Sequence, residues 1–211
     1  MISFPDGWAP GTWRITGTSL DPGWLPIPAL DSAPAAEAWV HENTALLRHA
    51  RAQTWTTDAA QAVPEVLRAG IVHRRPDDAL AFQVWPAQHP LCVFVHVTMG
   101  RGDGVRPGPG DGILFESEGL GPGVLVPRSA RIGDGDVLGY DIVFSFDDDV
   151  VVIVSVEPTF ADLLGVVSAS IHTFTASLQL VAPDGLPRRA LEPALLEAQP
   201  ANSWIDSLTA S

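Results

Sequence analysis

Residues 137–174 read VLGYDIVFSF, DDD, VVVIVSVEPTF and ADLLGVVSASIHTF in succession, and this stretch decides the fold. Val137–Phe146 reads as a strand, Asp147–Asp149 as a polar turn and Val150–Val156 as the returning strand of a hairpin. From Val150 to Val154 every position is apolar, which argues for a central strand covered on both faces rather than one that alternates between core and water. Thr159 with Asp162 three residues later reads as a capping box. Phe160, Leu163, Leu164, Val167, Ile171 and Phe174 then recur at helical spacing, so a helix should follow the hairpin and pack back on the sheet. Gly165 inside that helix costs about 1 kcal/mol relative to alanine and does not overturn the pattern.

Outward from this core, Ala79–Trp85 and Leu91–Met99 are short apolar, β-branched runs that predict a second hairpin, and Ile113–Phe115 and Gly123–Pro127 predict further strands before a turn at Gly133–Asp136. Gly100–Gly112 is so rich in glycine that it predicts a mobile surface loop with no packing of its own. Upstream, Asp31–Ala52 places Ala36, Trp39, Val40, Leu46, Leu47 and Ala50 on one helical face, with Ser32 as N-cap and Pro34 in the tolerant first turn. Asp58–Arg68 predicts only a turn or two of helix, because Pro64 interrupts it. Thr12–Thr18 predicts a first strand with Trp13 and Ile15 on one face. The sum is one α+β domain over residues 1–182, a mostly antiparallel sheet packed against two main helices, followed by a Pro/Ala-rich tail at 183–211 that either docks or stays loose.

This order of elements resembles the Mog1/PsbP-like α/β/α sandwich. The residues that carry the resemblance are the Trp-Leu-x-x-Pro turn at Trp24–Pro28, the helix at Pro34–Ala52 and the strand-to-helix passage Val150–Phe174. Proteins of that fold are small accessory proteins, so the resemblance implies a binding or assembly factor; it brings no catalytic motif with it, and fold alone does not establish function.

Composition narrows the chemistry. All 12 basic residues are arginine, which excludes a Schiff-base lysine, a Walker A loop and a Ser/Lys dyad. The formal net charge of −13 gives no general attraction to nucleic acid or anionic membranes and favours a basic partner. The single cysteine, Cys92, can form neither an internal disulfide nor a thiolate-rich zinc site, which makes a reducing interior the default. Met1–Trp13 carries no pattern of a secretory signal, and Leu163–Val181 is too often interrupted by polar residues and glycine to span a membrane. Cytoplasmic localisation is therefore expected, and the Ala, Gly, Pro and Arg bias points to a GC-rich bacterium.

Candidate chemical sites each meet a plainer reading. His89, Cys92 and His96 have the best metal spacing, yet on a strand His89 points away from the other two. The acidic stretches Asp147–Asp149 and Gly133–Asp136 lack a closing glutamate and read as ordinary hairpin turns rather than calcium loops. Ser117 in Glu116–Gly119 lacks the first glycine of a nucleophile elbow, and Cys92 lies in an apolar run. Arg101 and Arg106 among the loop glycines, and Arg74 and Arg75 after His73, read as solvated.

Seven tryptophans are many for this length, and those in the Pro-rich N-terminal segment and the tail suit a protein contact. The expected contact set is Trp8, Trp13, Trp24, Trp204, Ile205 and Leu208. The first expectation is thus a non-enzymatic accessory or adaptor protein, without cofactor, that binds another protein through a sheet face or edge together with its aromatic ends. The alternative is a small enzyme or ligand-binding domain with a pocket between sheet and helix that uses His73, His96 or Asp141. A third is a metal-dependent regulatory domain using His89 and His96.

Overall fold

The computed structural model describes residues 12–18, 22–87, 91–102, 107, 112–133 and 135–193. Its elements are β1 (Arg14–Thr16), β2 (Trp24–Pro26), α1 (Ala33–Ala50), α2 (Thr57–His73), β3 (Asp78–Val84), β4 (Val93–Arg101), β5 (Ile113–Ser117), β6 (Gly121–Ile132), β7 (Gly135–Ser145), β8 (Val150–Thr159), α3 (Ala161–Ser177), β9 (Gln179–Val181) and β10 (Pro187–Arg188). Seven strands form one antiparallel sheet in the order β2-β3-β4-β8-β7-β6-β5, which puts β8 at the centre, and β1-β9-β10 form a small second sheet. The α+β class and the antiparallel sheet are as the sequence implies. No helix among the described residues is long and apolar enough to cross a membrane.

Three helices among the described residues, not two, pack on the large sheet. The expected short turn at Asp58–Arg68 is a full helix of 17 residues with Pro64 inside it. A proline there costs about 3 kcal/mol. Against it stand a Thr56 N-cap whose side chain accepts from Ala59 N at 3.1 Å, Asp58 in the first turn, and burial of Val63, Leu67 and Gly70 against the sheet. Local propensity loses to packing here. Ser32 caps α1 as expected, with Ala35 N at 3.4 Å, although of the expected apolar face only Val40 and Leu47 are buried and Leu46 is exposed.

α3 lies on one face of the sheet. Its Leu163, Leu164, Val167, Ile171 and Phe174 meet Val95, Val97, Tyr140, Ile142, Phe144, Val152 and Val154 in the main core. Trp24 belongs to this core, edge-on to Phe82 and 4.6 Å from Phe174 between ring centroids. The capping box expected at its start does not form: Thr159 is still in β8, paired with Leu138, so Phe160 takes the N-cap position without a side-chain hydrogen bond.

α1 and α2 cover the opposite face, but only at its β2–β3 end, where Leu25, Val40, Leu47, Val63, Leu67 and Trp85 form a second core. Gly70 lets α2 approach closely, since a Cβ there would lie 2.3 Å from Gln83 Nε2. That Gln83 is buried, donates to Val66 O at 2.7 Å and accepts from Trp85 Nε1 at 3.2 Å.

The chain does not leave the fold at Ala182, where the sequence places the domain's end. Asp184 and Gly185 make a tight turn, β10 pairs with β9, Ala190 N donates to Leu120 O and Leu191 N donates to Ser145 O, both at 2.7 Å. The first part of the expected tail therefore docks, while residues 194–211 lie outside the described ones.

Candidate functional site

The register of the large sheet sets side chains in rows on the face turned away from α3. One row runs Ala81, His96, Ser155, Asp141 and Val126 across β3, β4, β8, β7 and β6; the next runs Thr98, Ile153, Val143 and Val124. At the β3–β4 end α2 lies over this face. At the β8–β7–β6 end Val151, Ile153, Val143 and Val126 are only half-buried, and with Asp77, Thr98, Arg101 and Pro107 they help line a groove of about 660 Å³. No helical residue among the described ones lines it. Among the described residues, the first half of the central strand is covered by a helix on the α3 side alone, where the sequence predicts cover on both faces.

Beside the groove the face turns polar. His96 is wholly buried, and its Nδ1 lies 2.8 Å from Asp78 Oδ2. An ionised aspartate only accepts, so Nδ1 carries the proton of that bond. His96 Nε2 lies 3.4 Å from Glu157 Oε1, within ion-pair range but without the geometry of a hydrogen bond. Glu157 also faces Arg75 Nη2 at 3.1 Å and His73 Nδ1 at 3.6 Å, while the His73 ring stacks on Phe94. Arg74 braces the turn from α2 into β3 by donating to Ile27 O and Asp78 O.

Burial by itself pushes His96 toward the neutral form, and the contacts with Asp78 and Glu157 together outweigh it, so the ring titrates above its ordinary value. Glu157 is held down to about 2, chiefly by His96, then by His73 and Arg75 against the opposing effect of burial. The three groups form a carboxylate–imidazole–carboxylate clamp across β3, β4 and β8. It holds a proton, yet a ring with no exposed surface presents no reactive atom to a substrate.

The sequence named His73 and His96 as possible polar groups of one pocket, and the structure does bring them to one carboxylate. They do not line the groove, and neither does Asp141, which lies 3.3 Å from Arg128 on the neighbouring strand. Asp78 and Glu157 were missed. Each follows or precedes an apolar run and looks like a solvated strand end; only the pairing of three strands puts them on either side of His96.

Among the expected contact residues, Trp24 is 8% exposed and its indole donates to Ser170 Oγ at 2.8 Å, so it serves the core. Trp13 is half-buried and packed against the same core. Trp8, Trp204, Ile205 and Leu208 lie outside the described residues, as do His89, Arg106 and most of the Gly100–Gly112 loop. Arg74 and Arg75 are structural braces rather than a solvated pair. Ser117 is buried, donating to Thr175 O at 2.9 Å and accepting from Leu120 N at 3.1 Å. Cys92 is half-buried, with its thiol pushed up to about 12 by burial, and so is unreactive at neutral pH. Among the described residues no group of three or more His, Cys, Asp or Glu side chains is placed to hold a metal ion. Asp149, with φ 58, sits in the β7–β8 turn, in line with the turn reading of that acidic stretch.

No protein-family model matches the chain, and no curated protein and no solved structure is significantly similar to it.

Proposed function

We propose that this chain is a non-enzymatic adaptor, of the accessory kind suggested by the Mog1/PsbP-like order of its elements, that binds another protein through the half of its large sheet that no described helix covers. The observation behind this reading is the mismatch on β8. Its run from Val150 to Val154 is apolar at every position, as in strands with two covered faces, while Val151 and Ile153 face a groove that no described helix covers. Retaining valine and isoleucine at those positions, and at Val126 and Val143 beside them, makes physical sense if something else removes them from water. The acidic chain would be met most readily by a partner of opposite charge.

The test is capture from native lysate by the full chain, compared with Val143→Asp and Val151→Asp in the groove and with Val72→Asp, an exposed apolar position on α2. A partner retained by Val72→Asp and lost by both groove variants, each checked for an unchanged circular dichroism spectrum, supports the reading. A partner held equally by all four chains overturns it. Since structural perturbation accompanies a buried charge, Ile153→Thr serves as the milder variant and should weaken capture in the same direction.

A second reading rests on the groove's size. A volume of about 660 Å³ falls in the range of small-molecule pockets. Thermal-shift screening against apolar ligands separates the two, because a ligand site raises the melting temperature without any partner protein.

A further inference from the structure

We propose that the groove on the sheet face turned away from α3 binds an apolar monocarboxylate of the fatty-acid type, with its chain over Val126, Val143, Val151 and Ile153 and its carboxylate on Arg101. This rests on the reading of that face as the chain's binding surface, and it names a ligand for the same site.

The groove crosses the sheet from β4 over β8 and β7 to β6, and Val151, Ile153, Val143 and Val126 line that path. Three strand spacings make about 14 Å, and at about 1.3 Å per bond an extended chain of about ten carbons covers that distance. A volume of about 660 Å³ accommodates such a chain. None of the four side chains carries a hydrogen-bonding group, so a ligand gains there by leaving water.

Gly100 stands at the β4 end of this path. It pairs with Val151 and lies two residues beyond Thr98, hence on the same face of the strand. A Cβ there would meet no atom of a described residue within 4 Å, and its φ is not in the left-handed region. Neither crowding by described residues nor backbone conformation therefore calls for glycine, although glycine weakens a strand. What it supplies is room beside the apolar floor, next to Arg101, of the kind a close-lying ligand uses.

Arg101 gives the site its charge. It lines the groove, is exposed, and has no ion-pair or hydrogen-bond partner among the described residues. Arg68, Arg75, Arg128, Arg131 and Arg188, in contrast, each face a carboxylate of the chain. The planar guanidinium fork matches a carboxylate in shape as well as in sign, so a ligand can bring the group that the described chain does not place there. Asp77 also lines the groove and disfavours a second negative charge, which selects a monoanion over a phosphate monoester. A chain of net charge −13 repels anions in general, and a preference for a carboxylate over an alcohol of equal length must then come from this local cation.

The test is calorimetric titration of the full chain with sodium decanoate, sodium octanoate and decan-1-ol, with methyl spectra recorded along the decanoate series. The expected result is one decanoate per chain, bound more tightly than decan-1-ol, with shifts at Val126, Val143, Val151 and Ile153 while Val63 and Leu67 under α2 stay in place. Octanoate, two methylenes shorter, should bind up to about fifteenfold more weakly, at up to about fourfold for each buried methylene. Arg101→Gln should weaken decanoate at least about tenfold and leave decan-1-ol unchanged. Gly100→Leu should weaken both by filling the groove. Both substitutions fall at exposed positions, and an unchanged circular dichroism spectrum verifies the fold.

Decan-1-ol bound by the parent chain as tightly as decanoate overturns the proposal, as does an Arg101→Gln or Gly100→Leu chain that keeps the parent's decanoate affinity. So do shifts spread equally over Val63 and Leu67, or no binding of decanoate at millimolar concentration. The adaptor reading fails separately. If decanoate binds as expected while Val143→Asp and Val151→Asp keep their partner, the ligand site stands and the adaptor site does not; loss of partner in those variants with no decanoate binding gives the reverse.

Discussion

Replacing Glu157 by glutamine removes the carboxylate that faces His96, Arg75 and His73 while keeping its size. The folded protein holds Glu157 at about 2 against an ordinary value of 4.5. The difference is about 2.5 pH units, and at 1.36 kcal/mol per unit it corresponds to about 3.4 kcal/mol as an upper bound. Glu157 is partly open to solvent, with 23% of its side chain exposed, and screening together with relaxation around the neutral amide should reduce the measured loss to about 1–2 kcal/mol. The sign depends on pH through both partners. A depressed carboxylate contributes above 4.5, and its contribution fades as pH falls toward 2. A raised histidine contributes fully below 6.5 and fades as pH climbs through its higher folded value. The two share one interaction, so it is counted once, and the loss in Glu157→Gln should be greatest between pH 4.5 and 6.5 and shrink on either side. Urea unfolding of both chains at half-unit steps from pH 3 to 9 measures this, and the other titrating groups cancel in the difference. A loss below about 0.3 kcal/mol, or one constant over the whole range, would refute the clamp as described.

Two glycines in helices should respond to alanine with opposite signs. Gly165 is exposed on α3 with nothing near the added Cβ, so Gly165→Ala should stabilise by about 0.5–1 kcal/mol in chemical denaturation. Gly70→Ala should destabilise by more than that gain, because the Cβ displaces Gln83 from its buried bonds to Val66 and Trp85; an increase in stability would contradict the close approach. Trp24→Phe should cost about 1–2 kcal/mol through loss of the Ser170 bond and of buried ring area, and leave partner capture unchanged when measured well below its melting temperature.

The parts of the fold that could be read along the chain are those set by local pattern. Ser32 and the apolar spacing of α1, the β3–β4 and β7–β8 hairpins, and the 3.6-residue recurrence on α3 all depend on neighbours within a few turns or one tight loop. What could not be read depends on partners far apart in sequence. α2 survives Pro64 because of a sheet that the residues around Pro64 do not announce. Thr159 could have capped α3 or extended β8, and the pairing with Leu138 decides for the strand. The clamp is the extreme case, since Asp78, His96 and Glu157 come from three strands and their charges are legible only once the order β3-β4-β8 is known. Trp24 shows the reverse error. A tryptophan among prolines suggests a surface anchor, yet its pairing through β2 with Val84 carries it under α3.

The half-covered sheet gives the apolar run of β8 a consequence beyond architecture. Tyr140, Ile142, Val152 and Val154 already anchor the hairpin under α3, so polar residues at Val143, Val151 and Ile153 would leave that core untouched and improve the solubility of the opposite face. Alternation of that kind is the ordinary pattern of an antiparallel strand with one wet face. Its absence here is confined to the strands that line the groove, while the same face under α2 is satisfied by Gln83, Phe94 and the clamp. Burial among the described residues is therefore divided along one face into a part closed by the protein's own helix and an apolar part that no described helix covers. A clamp that ties the β3 turn to β8 fixes the boundary between the two, and Asp77, next to Asp78, stands in the groove's lining at that boundary. Loosening the clamp by raising pH above the His96 titration should then alter the groove's edge before it alters the α3 core, which methyl shifts at Ile153 and Val143 compared with Val154 and Ile142 would report.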